Sequence, residues 1–364
     1  MLKRRLMPLF LGVIIAAGVV EVVAPTTRTG AERASPDARD VVAHPAAATS
    51  LTAKAVAATN AFKATLSSSQ RAIVQYSFSS PAKEKGWSNL PTSFVPRNGV
   101  KIADLNARQF AKLKRLLGTV LSKQGYDDEE ATRKADAYLH TRAKSQPGGT
   151  PSWYGQGLFY VAFFGRPSTS KKWTVQFGGH HLAIHMTFSG SRVSNTPYFA
   201  GIDPMRTFKV AGKAYAPMKD EVAALFGAVR SLSASQRAKA KLSETFDDVL
   251  VGPQKDGQFP AKQGIPLSSL SAAQRAIVTK AIRAYVGDMP TAEANARMAV
   301  YKSQYSRTRL AWSKSMNPRT PGAYVRIQGP RVWIEINVQN RVALTEAHYH
   351  SVERDTRTDY GAGT

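Results

Sequence analysis

The chain is 364 residues long, 43% hydrophobic and 21% charged, which supplies apolar side chains for a sizeable core and excludes a wholly disordered polymer. Lys and Arg number 50 against 25 Asp and Glu, a formal net charge of +25 that favours anionic partners or surfaces. Cysteine is absent, so a disulfide scaffold, a thiol nucleophile and a thiolate metal site are excluded, leaving His, Asp and Glu as the strong ligands.

In chain order, Lys3, Arg4 and Arg5 precede an uncharged apolar stretch over 6–20. This is the pattern of a cleaved signal peptide or an N-terminal anchor within 1–24, and it predicts an exported protein, secreted or held at the outer face of the cytoplasmic membrane. Membrane contact is expected only through that segment, if it stays uncleaved. Residues 25–56 are rich in Ala, Thr, Pro, Asp and Arg and contain no aromatic residue, so they read as a disordered tether. The remainder, 57–364, reads as one large domain.

Ser67, Ser233 and Ser271 each stand after a Leu and three residues ahead of a Gln, in Leu-Ser-x-x-Gln-Arg-Ala. That is the capping box, in which the Ser hydroxyl accepts from the N3 amide and the Gln side chain reaches back to the cap. Asn106 with Gln109 is a looser copy. The spacing between copies is irregular, which favours independent helix starts over a repeat array. Helical spacing of Val222, Leu225, Phe226 and Val229, and of Val278, Ala281, Ile282 and Tyr285, marks core-facing helices. The acidic run 127–130 opens a helix ending near Ala143, where negative charge suits the positive end of the dipole. Strand patterns occupy 153–164, 173–188 and 192–199, then 309–313, 323–328, 331–339 and the stretch around Tyr349. The prediction is α+β, with a largely antiparallel sheet and capped amphipathic helices.

Five of the seven histidines fall in two segments. If 177–188 is a strand, His181 and His185 share one face with Ala183 and Thr187, while His180 joins the apolar face of Leu182, Ile184 and Met186. His348 and His350, if extended, share a face and are able to chelate one divalent ion. Glu335 is the obvious carboxylate, since aliphatic residues alternate with Trp333, Glu335 and Asn337, which turn towards solvent or a polar cleft. Arg354, Asp355 and Asp359 are placed to tie down the C-terminus. No Walker loop, dinucleotide fingerprint, HExxH or GxSxG elbow is present. The positive charge forms no long block, and nucleic acid is not an expected partner.

The sequence resembles the family known as domain of unknown function 3500, found largely in bacterial proteins and often behind export signals. The resemblance rests on Leu66 to Arg71, Gly86-Trp87, Gly125-Tyr126, the run Phe163 to Ser168, Gly179-His180-His181-Leu182, Pro197, Tyr324 to Pro330, Glu335, and His348-x-His350-Ser351-Val352-x-Arg354-Asp355 with Asp359-Tyr360-Gly361. It implies a shared fold and site but no established activity. The family usually has a polar, non-histidine residue at His185, which ranks it below His180 and His181, and more often Glu at Asp203 and Asp at Asn337, which weakens the case for either as a required ligand.

The expectation is a polar site joining His180, His181, Glu335, His348, His350 and Asp355. His181, His348 and His350 would bind a divalent metal such as zinc, with Glu335, His180 and Asp355 as candidate catalytic groups for metal-assisted hydrolysis of a small substrate. The alternative is a non-catalytic cationic module recognising an anionic cell-envelope polymer or polysaccharide.

Overall fold

The structure is a computed structural model that describes residues 45–146, 149–340, 344 and 346–364. The expected signal segment and the first part of the expected tether lie outside the described residues. The chain runs through α1 (Pro45–Lys63), α2 (Ser68–Val74), β1 (Gln75–Tyr76), α3 (Ala82–Lys85), β2 (Val100–Lys101), α4 (Ala107–Val120) and α5 (Lys123–Lys144). Strands β3 (Tyr160–Phe164), β4 (Trp173–Gly179), β5 (Leu182–Ser189), β6 (Arg192–Ser194) and β7 (Tyr198–Ile202) follow, then the hairpin of β8 (Phe208–Val210) and β9 (Lys213–Tyr215). After it come α6 (Lys219–Arg230), α7 (Ala234–Ala240), β10 (Ile265–Pro266), α8 (Ala272–Val286) and α9 (Thr291–Ser303). The last strands are β11 (Arg309–Ser313), β12 (Tyr324–Gln328), β13 (Val332–Gln339) and β14 (His348–Asp355).

The sheet order is β1-β3-β4-β5-β7-β14-β13-β12-β11-β10, with β2 added beside β3 and β6 beside β5. Every pair is antiparallel except β1 with β3, so the fold is α+β with a mostly antiparallel sheet, as the sequence predicts. Alternate strand residues such as Leu182, Ile184, Met186, Val332, Ile334 and Ile336 face the helices in the main core. The other face is covered by two irregular segments whose Trp87, Val249 and Val251 pack on Ala183, Phe199, Trp333 and Val352. Trp333, Glu335 and Asn337 lie on this second face but are fully buried beneath it, rather than turned to solvent.

The order of elements repeats once. Each half has a first helix (α1 or α6), a short capped helix (α2 or α7), a helix pair (α4 and α5, or α8 and α9), and four sheet strands that meet where β7 pairs with β14. Segments after α2 and α7 each lie parallel to the first long strand of their half, as Gln75 with Phe163 and Lys241 with Trp312. The capping glutamines repeat too. Gln109 Nε2 donates to Gln70 Oε1 at 2.8 Å, 39 residues away, and Gln274 Nε2 donates to Gln236 Oε1 at 2.7 Å, 38 residues away. Their second bonds match as well, from Gln109 to Thr65 O and from Gln274 to Ser231 O. Each capping box starts a helix, as the sequence predicts, and the four caps also form two related pairs in a duplicated order of elements. Irregular spacing concealed this because the long interval lies between the halves.

Helix α1 begins inside the stretch expected to be a tether. Thr52, Ala55, Thr59 and Phe62 are fully buried, and Thr52 Oγ1 donates to Gly190 O at 3.0 Å. Small side chains let α1 approach α4 closely, so its buried stripe carries little of the large-residue signal by which an amphipathic helix is recognised.

Candidate metal centre

His180 and His181 of the first segment are not strand residues, whereas His185 lies in β5. β4 and β5 are joined by His180-His181 alone, and His181, the second residue of this turn, has a left-handed φ of 62°, as the second central position of a type II turn does. The turn projects the rings apart from the strand alternation. Gly201 of the neighbouring strand accommodates the His181 ring, because a Cβ there would stand 2.9 Å from its Cδ2. Gly201 N donates to His181 O at 2.8 Å and fixes the turn against β7. Arg97 caps it from the other side by donating to Gly179 O at 3.0 Å.

The second segment is strand β14, where His348 and His350 point to the face opposite the helices, as their alternation predicts. The β7–β14 register places His350 opposite Gly201, and this long-range pairing brings the segments together. His181 Nε2 and His350 Nε2 are 3.2 Å apart. His181, His348 and His350 each offer one ring nitrogen within 4.8 Å of the others. All three residues are buried.

A hydrogen bond to a carboxylate sets which nitrogen His350 presents. His350 Nδ1–H donates to Asp248 Oδ1 at 2.9 Å, so its Nε2 carries the lone pair facing His181. Asp248 is itself held by Asn89 Nδ2 at 2.8 Å and Gln339 Nε2 at 3.1 Å. The His348 ring bonds the backbone of Asn340, while its Nδ1 is buried without a hydrogen-bond partner among the described residues. Burial, followed by neighbouring His180, His350 and His348, holds the His181 pKa well below the usual imidazole value. Burial and then His350 push His348 down to about 3. Both rings are neutral at pH 7, the protonation state in which imidazole binds a metal.

His180 stacks on His181 with centroids 3.7 Å apart. Its Nδ1–H donates to Asp136 Oδ1 of α5 at 2.6 Å, and Asp136 Oδ2 accepts from Gly155 N at 2.9 Å. The result is a carboxylate-oriented imidazole directly beside the three-histidine cluster. Burial, then Glu346, pushes the nearby Asp203 carboxyl up to about 7, and its Oδ1 is buried with no hydrogen-bond partner among the described residues.

The other expected site residues are held elsewhere. Glu335 accepts four bonds, from Leu250 N, Val251 N, Tyr324 Oη and Trp333 Nε1. Both its oxygens are committed to fastening the 250–251 segment over the sheet. Burial raises its pKa and these four donors pull it down. Asp355 lies on the helix-facing side of β14, opposite to His348 and His350, and pairs with Arg297 and Arg331. Arg354 does bind Asp359 at 3.2 Å, and also Asp256 at 2.6 Å, so the C-terminus and a long loop share one guanidinium. His185 bonds Gln176 and Pro197 O away from the cluster.

Asp136 and Asp248 are the partners that the sequence did not single out. Asp136 shares a stripe with Thr132 and Leu139 on the buried side of α5, and a carboxylate on a buried helix face was the available signal. Asp248 sits in an irregular segment where nothing in the sequence distinguishes it from Asp247.

No curated protein and no solved structure matches the chain. A family model described as "Protein of unknown function (DUF3500)" matches residues 48–362, and the chain belongs to that family.

Proposed function

We propose that His181, His348 and His350 form a divalent metal centre, zinc being the first choice, that serves metal-assisted hydrolysis. The observation that carries this reading is the 3.2 Å separation of the His181 and His350 Nε2 atoms. Tetrahedral zinc with bonds of 2.0–2.1 Å requires ligand nitrogens about 3.3 Å apart. The three imidazoles already hold their ring nitrogens close enough together for one cation to bridge them. The Asp248 carboxylate behind His350 is the outer partner that orients a metal-binding imidazole and raises its basicity.

Three protein ligands leave a coordination position for water, whose pKa the metal lowers towards neutrality. His180, with its Nδ1–H fixed on Asp136, presents Nε2 as the general base for that water. The Lys3-Arg4-Arg5 flank and the apolar stretch after it support placing this chemistry outside the cytoplasm. The test is turnover by the zinc-loaded, untagged protein on ester, amide, glycosidic and phosphoester substrates. His180→Ala is expected to keep its metal and lose at least a hundredfold in turnover. Absence of metal-dependent turnover on every class would overturn the hydrolase reading.

A further inference from the structure

A cavity of about 860 Å³ lies between the segment after β7, helix α6 and the loop before β12. Arg206, Lys219, Arg230 and Arg319 line it, and Glu346 is the one carboxylate among its described lining residues. That carboxylate is already engaged, by Arg206 at 2.8 Å. The floor is apolar, made by buried Met218, Val222 and Tyr349. The volume lies within the range of small-ligand sites. Cations around a low-dielectric floor focus the positive potential into the cavity, and guanidinium groups match carboxylate and phosphate geometry.

We infer that this cavity binds an acidic saccharide. Its carboxylate or phosphate groups are met by Arg230, Arg319 and Lys219, and the C–H face of a sugar ring lies on Met218, Val222 and Tyr349. Four cations thus converge on one concave surface whose one carboxylate among the described lining residues is already paired. Glu346 and Ala347 line the cavity and His348 is the next residue, so a ligand seated there lies against the strand end that carries the histidine cluster. The inference stands independently of the metal centre.

The test is isothermal titration of the full chain with trigalacturonate, glucose 6-phosphate and neutral maltotriose at about 0.05 and 0.5 M salt, a range over which screening shortens severalfold. At least one acidic probe is expected to bind, with affinity falling tenfold or more at the higher salt, while maltotriose does not. Arg230 and Arg319 are exposed, so Arg230→Glu with Arg319→Glu is expected to keep its melting temperature and bind at least tenfold more weakly; Arg319→Gln gives a milder version of the same loss. His350→Ala is expected to bind the acidic probe as the unaltered protein does, which separates this site from the metal centre. No binding of either acidic probe, equal binding of maltotriose, or undiminished binding by the charge-reversed protein would overturn the inference.

Discussion

His350 donates through Nδ1 to Asp248 at 2.9 Å, and this bond turns its other nitrogen towards His181. The carboxylate decides the tautomer and the ring plane together. Asp248→Asn removes the anionic acceptor while preserving shape, and it is expected to weaken zinc binding by about 10- to 100-fold. Competition with a chromophoric chelator measures this, and an unchanged circular dichroism spectrum shows that the fold is retained. Unaltered zinc affinity would mean that Asp248 is not the orienting group.

Asp355 separates two buried guanidiniums, those of Arg297 and Arg331, and also accepts from Tyr301 Oη at 3.1 Å. Burial raises the Asp355 pKa, but Arg297 and Arg331 outweigh it and leave the group below the usual carboxylate range. Asp355→Asn removes the carboxylate that pairs with both buried guanidiniums, and a loss of about 3–5 kcal/mol is expected in urea unfolding. Zinc binding by the fraction that remains folded is expected to be unchanged, since Asp355 lies on the far face of β14.

His185 gives the chain a definable acid sensitivity. Burial pushes its pKa down to about 3, against an unfolded value near 6.5. A folded pKa below the unfolded one stabilises the native state fully above pH 6.5, and this contribution falls away as the unfolded chain binds the proton. Between pH 8 and pH 4 the loss from this one group is about 3 kcal/mol. Parallel urea titrations of the unaltered protein and His185→Gln cancel the other titrating groups, and their stability difference is expected to shift by that amount against the unaltered protein at low pH.

Gln70 and Gln109 each close their own capping box and also bond each other. Alanine at either position is expected to cost about 1 kcal/mol. The double variant is expected to lose less than the sum, with a coupling of at least about 0.5 kcal/mol. Gln236 and Gln274 are expected to show a coupling of similar size, because the duplication gives them the same bonds; strict additivity in both pairs would contradict this.

Sequence patterning was sufficient for the capped helices, the strand groups and the strand faces of β13 and β14, because each is a local periodicity of apolar residues. It was insufficient for the duplication, whose evidence is a bond between caps nearly forty residues apart. The three clustered histidines were legible as residue types because cysteine is missing and histidines are few. Their convergence depends on β7 pairing with β14, a contact no local pattern encodes. Glu335 illustrates the opposite failure. Its place in an alternating strand marked a polar residue on the second face, yet the donors that occupy it come from Leu250 and Val251, far along the chain. The duplicated hairpin carries Pro330-Arg331 where the first carries His180-His181, and Arg331 there serves the Asp355 ion cluster. Equivalent turns of the two halves thus hold different chemistry.

The metal content of untagged protein, equilibrated separately with zinc, manganese, iron and copper and then dialysed, tests the central claim most directly. The expected result is about one zinc per chain in the unaltered protein and in Glu335→Gln, and less than a tenth of that in His348→Ala with His350→Ala. A zinc-dependent rise in melting temperature is expected in the first two proteins and not in the third. No stoichiometric metal of any kind with an unchanged melting temperature, or full zinc retention by the doubly substituted protein, would contradict the account.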